Sequence, residues 1–268
     1  MKELVEMFLN TLNSKNTKEA YERNINNMLS FVEKSITDIK PVDLISWQNS
    51  LNNLSSASQA QYVNAIKSFF KFLYDIDYIQ SNPAEKLHAV KVVNKPKDYI
   101  NDEQVLNMIE TAKNKRDKAI IALLFSTGLR VSELINIELE DLQGDSLFIQ
   151  TKGGKYREIF INESCRKIID EYLKVRKAGC SKLFVSNQHT PMLRANINNL
   201  LTKVKKQCNI KENVTPHSLR HTFVTDIAKE YGVEIARDVV GHSSIAVTNR
   251  YIHSNREEIK KAMLGVQL

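Results

Sequence analysis

Two arginines, several histidines, lysines beside a glycine pair and one tyrosine near the end of the chain are the residue types that could carry out phosphoryl transfer. They stand in five short stretches: Thr127-Gly-Leu-Arg-Val-Ser-Glu-Leu134, Thr151-Lys-Gly-Gly-Lys155, His217-Ser-Leu-Arg-His221, Val240-Gly-His242 and Thr248-Asn-Arg-Tyr251. A phosphodiester under attack becomes pentacoordinate and gathers charge on its non-bridging oxygens, which the planar donor fork of arginine matches. Arg130 and Arg220 make a sensible clamp for such a group. A tyrosine hydroxyl, with an ordinary pKa of about 10, attacks only when its proton has somewhere to go, and His217 is the first choice of base for Tyr251. His217 and Arg220 lie three apart after Pro216, which suits a helix start and puts both on one helix face. His242 precedes Tyr251 by nine residues, close enough to bond the same phosphate. Cleavage must also expel a 5′ alkoxide. Lys152 and Lys155 flank one glycine turn, and chemistry alone does not choose which of them protonates it.

Taken in this order, the five stretches resemble the tyrosine recombinases, also called the phage integrase family, with its Xer-type chromosome-dimer resolvases. The resemblance covers the second part of the chain, from about Asp98 to the C-terminus. It implies Arg130 and Arg220 as phosphate-binding arginines, Lys152 as general acid, His217 and His242 as supporting histidines and Tyr251 as the nucleophile, which bonds covalently to a 3′ phosphate. It also implies strand exchange through a Holliday junction. Two departures stand out: Thr151 occupies a place where glycine is common, and Val240 one where leucine is usual. Neither removes a reacting group. Around these residues, Glu133, three after Arg130, reads as an orienting partner for it. Lys155 and His221 are supporting candidates, while Arg250 and His253 read as surface residues.

These side chains need a scaffold, and the chain punctuates one. Helices are expected at about Asp102 to Ala112 and Arg116 to Ser126, with Gly128 placed to end the latter. Ser146 to Thr151 and Tyr156 to Ile161 are β-prone runs around Gly153-Gly154, a natural hairpin. The first part reads as helix after helix. Asn16 with Glu19 resembles a capping box before a helix over Tyr21 to Val32, and Pro41 suits the first turn of a helix running to about Leu51. Tyr62, Ile66, Phe69, Phe70 and Leu73 form one apolar stripe. Lys67 and Lys71, off that stripe, either track DNA phosphates or form a solvated face. Pro83 to Leu87 reads as a short closing helix, and the charged stretch Lys91 to Asp98 as a linker.

The expected fold is therefore mainly α: a helical core-binding (SAM-like) DNA-binding domain over residues 1–91, a linker over 92–100, and a mostly helical catalytic domain with a small antiparallel β-sheet over 101–268. The two domains are expected to form a clamp around duplex DNA. At its end, Ile259, Met263, Leu264 and Val266 mark a partly amphipathic segment that resembles the tail recombinases pass to a neighbouring subunit.

The 268 residues carry 38 Lys and Arg against 31 Asp and Glu, a formal charge of +7 that suits a polyanionic partner. Up to Lys95 the count is 11 basic and 10 acidic, leaving 27 and 21 beyond it, so the positive excess lies in the second part. Cys165, Cys180 and Cys208 have no CxxC spacing and read as buried small hydrophobes in a reducing cytoplasm. The longest apolar stretch, Ala119 to Phe125, is too short to span a bilayer. No paired carboxylates suggest a two-metal nuclease and no glycine-rich loop suggests a nucleotide, so neither metal nor cofactor is expected. The expected partner is double-stranded DNA, bound by a homotetramer on paired sites, with a related recombinase or DNA-bending accessory proteins as further candidates. The expected location is the cytoplasm, at the nucleoid. Two rival readings are a type IB topoisomerase, which shares the chemistry, and an inactive DNA-binding regulator derived from an integrase.

Overall fold

The computed structural model describes residues 2–88, 91, 100–150, 156–177 and 179–241. The chain divides into two compact units, residues 1–96 and 97–268.

Among its described residues the first unit holds four α-helices: α1 (Lys2–Asn10), α2 (Lys15–Val32), α3 (Pro41–Ser50) and α4 (Ser56–Asp75). Its core gathers where their apolar stripes meet. Ile66, Phe69, Phe70 and Leu73 of α4 are fully buried against Ile25 and Met28 of α2 and Leu44 and Trp47 of α3. The Trp47 indole N–H, which burial would otherwise leave unpaired, donates to Asn27 Oδ1 at 3.0 Å. Two local expectations are corrected. Helix α2 starts before Asn16, because the Lys18 amide already bonds the Ser14 carbonyl at 2.9 Å, and Ser14 caps it without a side-chain bond. Pro83 to Leu87 forms a turn, not a helix. Asn82 Oδ1 accepts from the Ala84 amide at 2.9 Å, and the backbone bonds that follow close after three residues, the local pairing by which Asn competes with a helix.

The second unit is built around α6 (Lys115–Thr127), whose run Ala119–Leu124 is buried on every side. Asn114 caps its start by accepting from the Asp117 amide at 2.8 Å, and Gly128 ends it in the left-handed conformation, φ 59°. Before it lies α5 (Asp102–Thr111); after it come the single turn α7 (Val131–Leu134) and an antiparallel sheet ordered β1 (Leu142–Gln143), β2 (Ser146–Gln150), β3 (Tyr156–Phe160). In the β2–β3 ladder Leu147 faces Ile159 and Ile149 faces Arg157. The short β1 adds a strand to the expected hairpin. Helix α8 (Glu163–Leu173) packs on α6, and α9 (Arg194–Gln207), α10 (Pro216–Tyr231) and α11 (Val233–Val240) follow among the described residues. The mainly helical architecture with one small antiparallel sheet agrees with the expected fold class. Of the cysteines, only Cys165 is buried; Cys180 and Cys208 are half-exposed, and all three are free. No helix among the described residues is long and apolar enough to cross a membrane.

Candidate active site

The stretch Thr127–Leu134 is a helix end followed at once by a helix start. Gly128 reverses the chain after α6, and a Cβ at that position would lie 2.4 Å from Phe223 Cδ1 of α10, so the residue must be glycine both for its positive φ and for this approach. Arg130 then occupies the N-cap of α7 with extended φ, ψ of −72° and 148°. Glu133 takes hold of it from one turn on. Its Oε2 accepts from the Arg130 amide at 2.8 Å and its Oε1 from Arg130 Nη1 at 2.7 Å. The Arg130 side chain remains 44% exposed while Glu133 is only 8% exposed, so an inner carboxylate steers an outward-facing cation.

Arg220 reaches the same locus from the opposite direction. Pro216 stands in the first turn of α10, Thr215 caps it by accepting from the Ser218 amide at 3.1 Å, and Arg220 follows one turn later, 3% exposed. Its guanidinium donates to the Gly128 carbonyl through Nη1 and to the Val240 carbonyl at 2.9 Å through Nη2. The two arginines, from stretches far apart in sequence, are thereby tied to one short segment: Arg220 is anchored on the carbonyl two residues before Arg130.

Arg157 was not among the residues singled out by sequence. It lies on β3 with its side chain 15% exposed, donating through Nη2 to Glu133 Oε2 at 3.3 Å and through Nη1 to the Val239 carbonyl at 2.7 Å. Burial pulls this guanidinium below its ordinary pKa; the Glu133 charge opposes that and the Arg130 charge reinforces it. The signal for it in the sequence is strand alternation: Arg157 shares the inward face of β3 with buried Ile159, a place where a charge calls for an explanation. Gly241, φ 63°, caps α11 directly above it, and a Cβ there would lie 3.3 Å from Arg157 Nη1.

His217 is exposed on the first turn of α10, and His221, one turn on, is buried with its Nδ1 3.3 Å from Thr225 Oγ1. In the first unit, Lys67 Nζ donates to the Leu87 carbonyl at 2.9 Å, closing the Asn82–Leu87 turn, and Lys71 pairs with Asp75 at 2.9 Å. Lys152, Lys155, His242 and Tyr251 lie outside the described residues, as do His253, the linker residues 92–99 and the segment after Tyr251. Among the described residues no group of three His, Cys, Asp or Glu could hold a metal ion.

This arrangement joins three arginines through a carboxylate and main-chain carbonyls. Comparison with known proteins gives the family. Residues 98–258 match the Phage integrase family, and residues 3–80 match the phage integrase N-terminal SAM-like domain. The chain is 29% identical to tyrosine recombinase XerC of Leptospira interrogans, over 97% of this chain and 92% of that protein. It is 30% identical to tyrosine recombinase XerD of Staphylococcus haemolyticus, over 92% of this chain and 91% of that one. Its fold is similar to that of a lambda integrase tetramer bound to a Holliday junction, with a TM-score of 0.80 and 15% identity over 94% of this chain and 77% of that one. With the family matched over more than half its length, the chain belongs to the phage integrase family, the tyrosine recombinases.

Proposed function

We propose that this chain is a site-specific DNA recombinase in which Tyr251 is the nucleophile. The Tyr251 oxygen bonds to the scissile phosphorus as the bond from phosphorus to the 5′ oxygen breaks. The tyrosine proton passes to His217 and the departing 5′ oxygen takes one from Lys152, so charge and protons balance. Arg130 and Arg220 bind the non-bridging oxygens, with His242 as a further donor. Bond energy stays in the phosphotyrosine, and a 5′-hydroxyl from another duplex reverses the step, through a Holliday junction. Residues 1–91 serve as the core-binding domain and 101–268 as the catalytic domain, joined by 92–100 and closing together on duplex DNA, with four copies acting on paired sites.

One observation supports this reading above the others: Arg130 and Arg220 converge on the Gly128–Arg130 segment within a chain of this family. It is tested by trapping. Sequencing the DNA that crosslinks to the protein yields its site, from which a nicked suicide substrate is made. Wild type should accumulate a covalent adduct; Tyr251→Phe should bind the same DNA and form none. An adduct in the mutant overturns the nucleophile, and no adduct in wild type overturns the recombinase reading.

A further inference from the structure

A closed circuit of bonds runs through the site. Arg130 Nη1 donates to Glu133 Oε1, and Glu133 Oε2 accepts from Arg157 Nη2. Arg157 Nη1 donates to the Val239 carbonyl, the next carbonyl, Val240, accepts from Arg220 Nη2, and Arg220 Nη1 returns to Gly128, two residues before Arg130. Arg157 is the member that bridges the α7 side of this circuit to the end of α11. It is planar, so its two nitrogens fix the separation of their acceptors in a way that a lysine ammonium does not.

Stability alone gives a poor reason for an arginine here. Arg157 stands opposite Ile149 and shares a face with Ile159, and its Nε is buried with no hydrogen-bond partner among the described residues. Replacing a buried ion pair as a whole by apolar side chains of similar volume is commonly neutral or stabilising, and here one donor is orphaned besides. What the guanidinium supplies is registration between two elements. One carries Arg130; the other holds Arg220 and leads directly through Gly241 to His242.

We propose that Arg157 is a positioning residue that sets the spacing of the Arg130 and Arg220 guanidinium groups and so their fit to the scissile phosphate. It touches neither DNA nor reacting atoms. The inference rests on the recombinase reading above and adds to it a residue that acts through the phosphate clamp.

The test uses the full-length protein and the nicked substrate recovered by trapping, in two forms: an ordinary phosphodiester, and one with a methylphosphonate at the scissile position, which carries no charge for the clamp to neutralise. On the ordinary substrate Arg157→Met should cleave about 100-fold more slowly than wild type in single-turnover reactions, the scale of loss that small misplacement of a binding group causes. Its affinity for the site should be unchanged, and its thermal midpoint should fall by only a few degrees, because Glu133 keeps Arg130 as its partner. On the methylphosphonate, Arg130→Ala provides the measure of a lost clamp, and the Arg157→Met deficit should shrink along with it. A deficit of equal size on both substrates would mean general disorder of the site and would overturn the proposal, as would wild-type cleavage by Arg157→Met. If Arg157→Met does not fold, Arg157→Lys, which keeps the charge and cannot bridge both acceptors, should show the same substrate-dependent deficit. Adduct formation by wild type separates the two readings: its absence refutes the recombinase, while its presence beside undiminished Arg157→Met and Arg157→Lys refutes this inference alone.

Discussion

Glu133 and Arg130 are joined twice, once through the main chain and once through the side chain, with the carboxylate accepting from the Arg130 amide at 2.8 Å and from Nη1 at 2.7 Å. Capping a helix and aiming a cation are therefore one task for this residue. Glu133→Gln keeps an acceptor for the cap but removes the charge. Cleavage should fall by about 10- to 100-fold, and stability should drop by about 1–3 kcal/mol, because the largely buried Arg157 guanidinium loses its counter-charge. Rapid-quench cleavage beside urea unfolding measures the two effects separately. Combined with Arg157→Met, the loss should not exceed that of the worse single change, because both interrupt one chain of contacts. Full additivity would show that they act independently.

Gly128→Ala should destabilise the second unit by about 1–3 kcal/mol, since the residue must hold φ 59° and the new methyl would meet the Phe223 ring. Adding Phe223→Leu should recover the packing share and leave the backbone share. Equal urea midpoints for wild type and Gly128→Ala would contradict this account of the Thr127–Arg130 turn.

Lys152 and Lys155 are separated by the leaving group. An alkoxide with a pKa of about 16 needs a proton, whereas a thiolate leaves without one. Lys152→Ala should therefore be severely slowed on ordinary DNA and recover most of its rate on a 5′-bridging phosphorothiolate, while Arg130→Ala should not recover. Recovery by Lys155→Ala in place of Lys152→Ala would assign the general-acid role to Lys155.

Asp226 of α10 is pushed up to about 6, first by burial and then by the neighbouring carboxyl of Asp102, with Lys229 opposing both. A value above the ordinary 3.8 means that folding favours the protonated form. Its stabilising contribution is complete below about pH 4 and is lost as pH rises through about 6. Asp226→Asn should thus raise stability at pH 8 by about 1 kcal/mol, the partial exposure of the group screening the rest, and by progressively less toward pH 4. Urea titrations of both proteins across that range check it: a difference between wild type and Asp226→Asn that does not grow from pH 4 to pH 8 would contradict the raised value.

What the sequence made legible were features whose cause is local. Gly128 ends α6, Pro216 opens α10 and the α4 stripe is core, because caps, proline geometry and helical periodicity act over a few residues. The start of α2 was missed for a local reason too: Ser14, Asn16 and Thr17 are all plausible caps, and only the ladder itself chooses among them. Arg157 escaped for a different reason. Its partners Glu133 and Val239 lie 24 and 82 residues away, and no spacing in the chain announces a bond to a main-chain carbonyl at that range. The same holds for Arg220, whose motif suggested an arginine facing phosphate and gave no hint of its anchorage on Gly128 and Val240.

That anchorage bears on how freely this sequence can drift. Carbonyls of Gly128, Val239 and Val240, which every amino acid carries, accept from Arg220 and from one arm of Arg157. Exchanging Val240 for another helix-compatible apolar residue leaves its acceptor in place, so valine where leucine is usual is silent for the arginine. Glu133 has no such protection. Its acceptors belong to the side chain, and a single codon change can delete them. Mutational tolerance across the site should therefore be uneven, broad at Val239 and Val240 and narrow at Glu133, although all three hold an arginine.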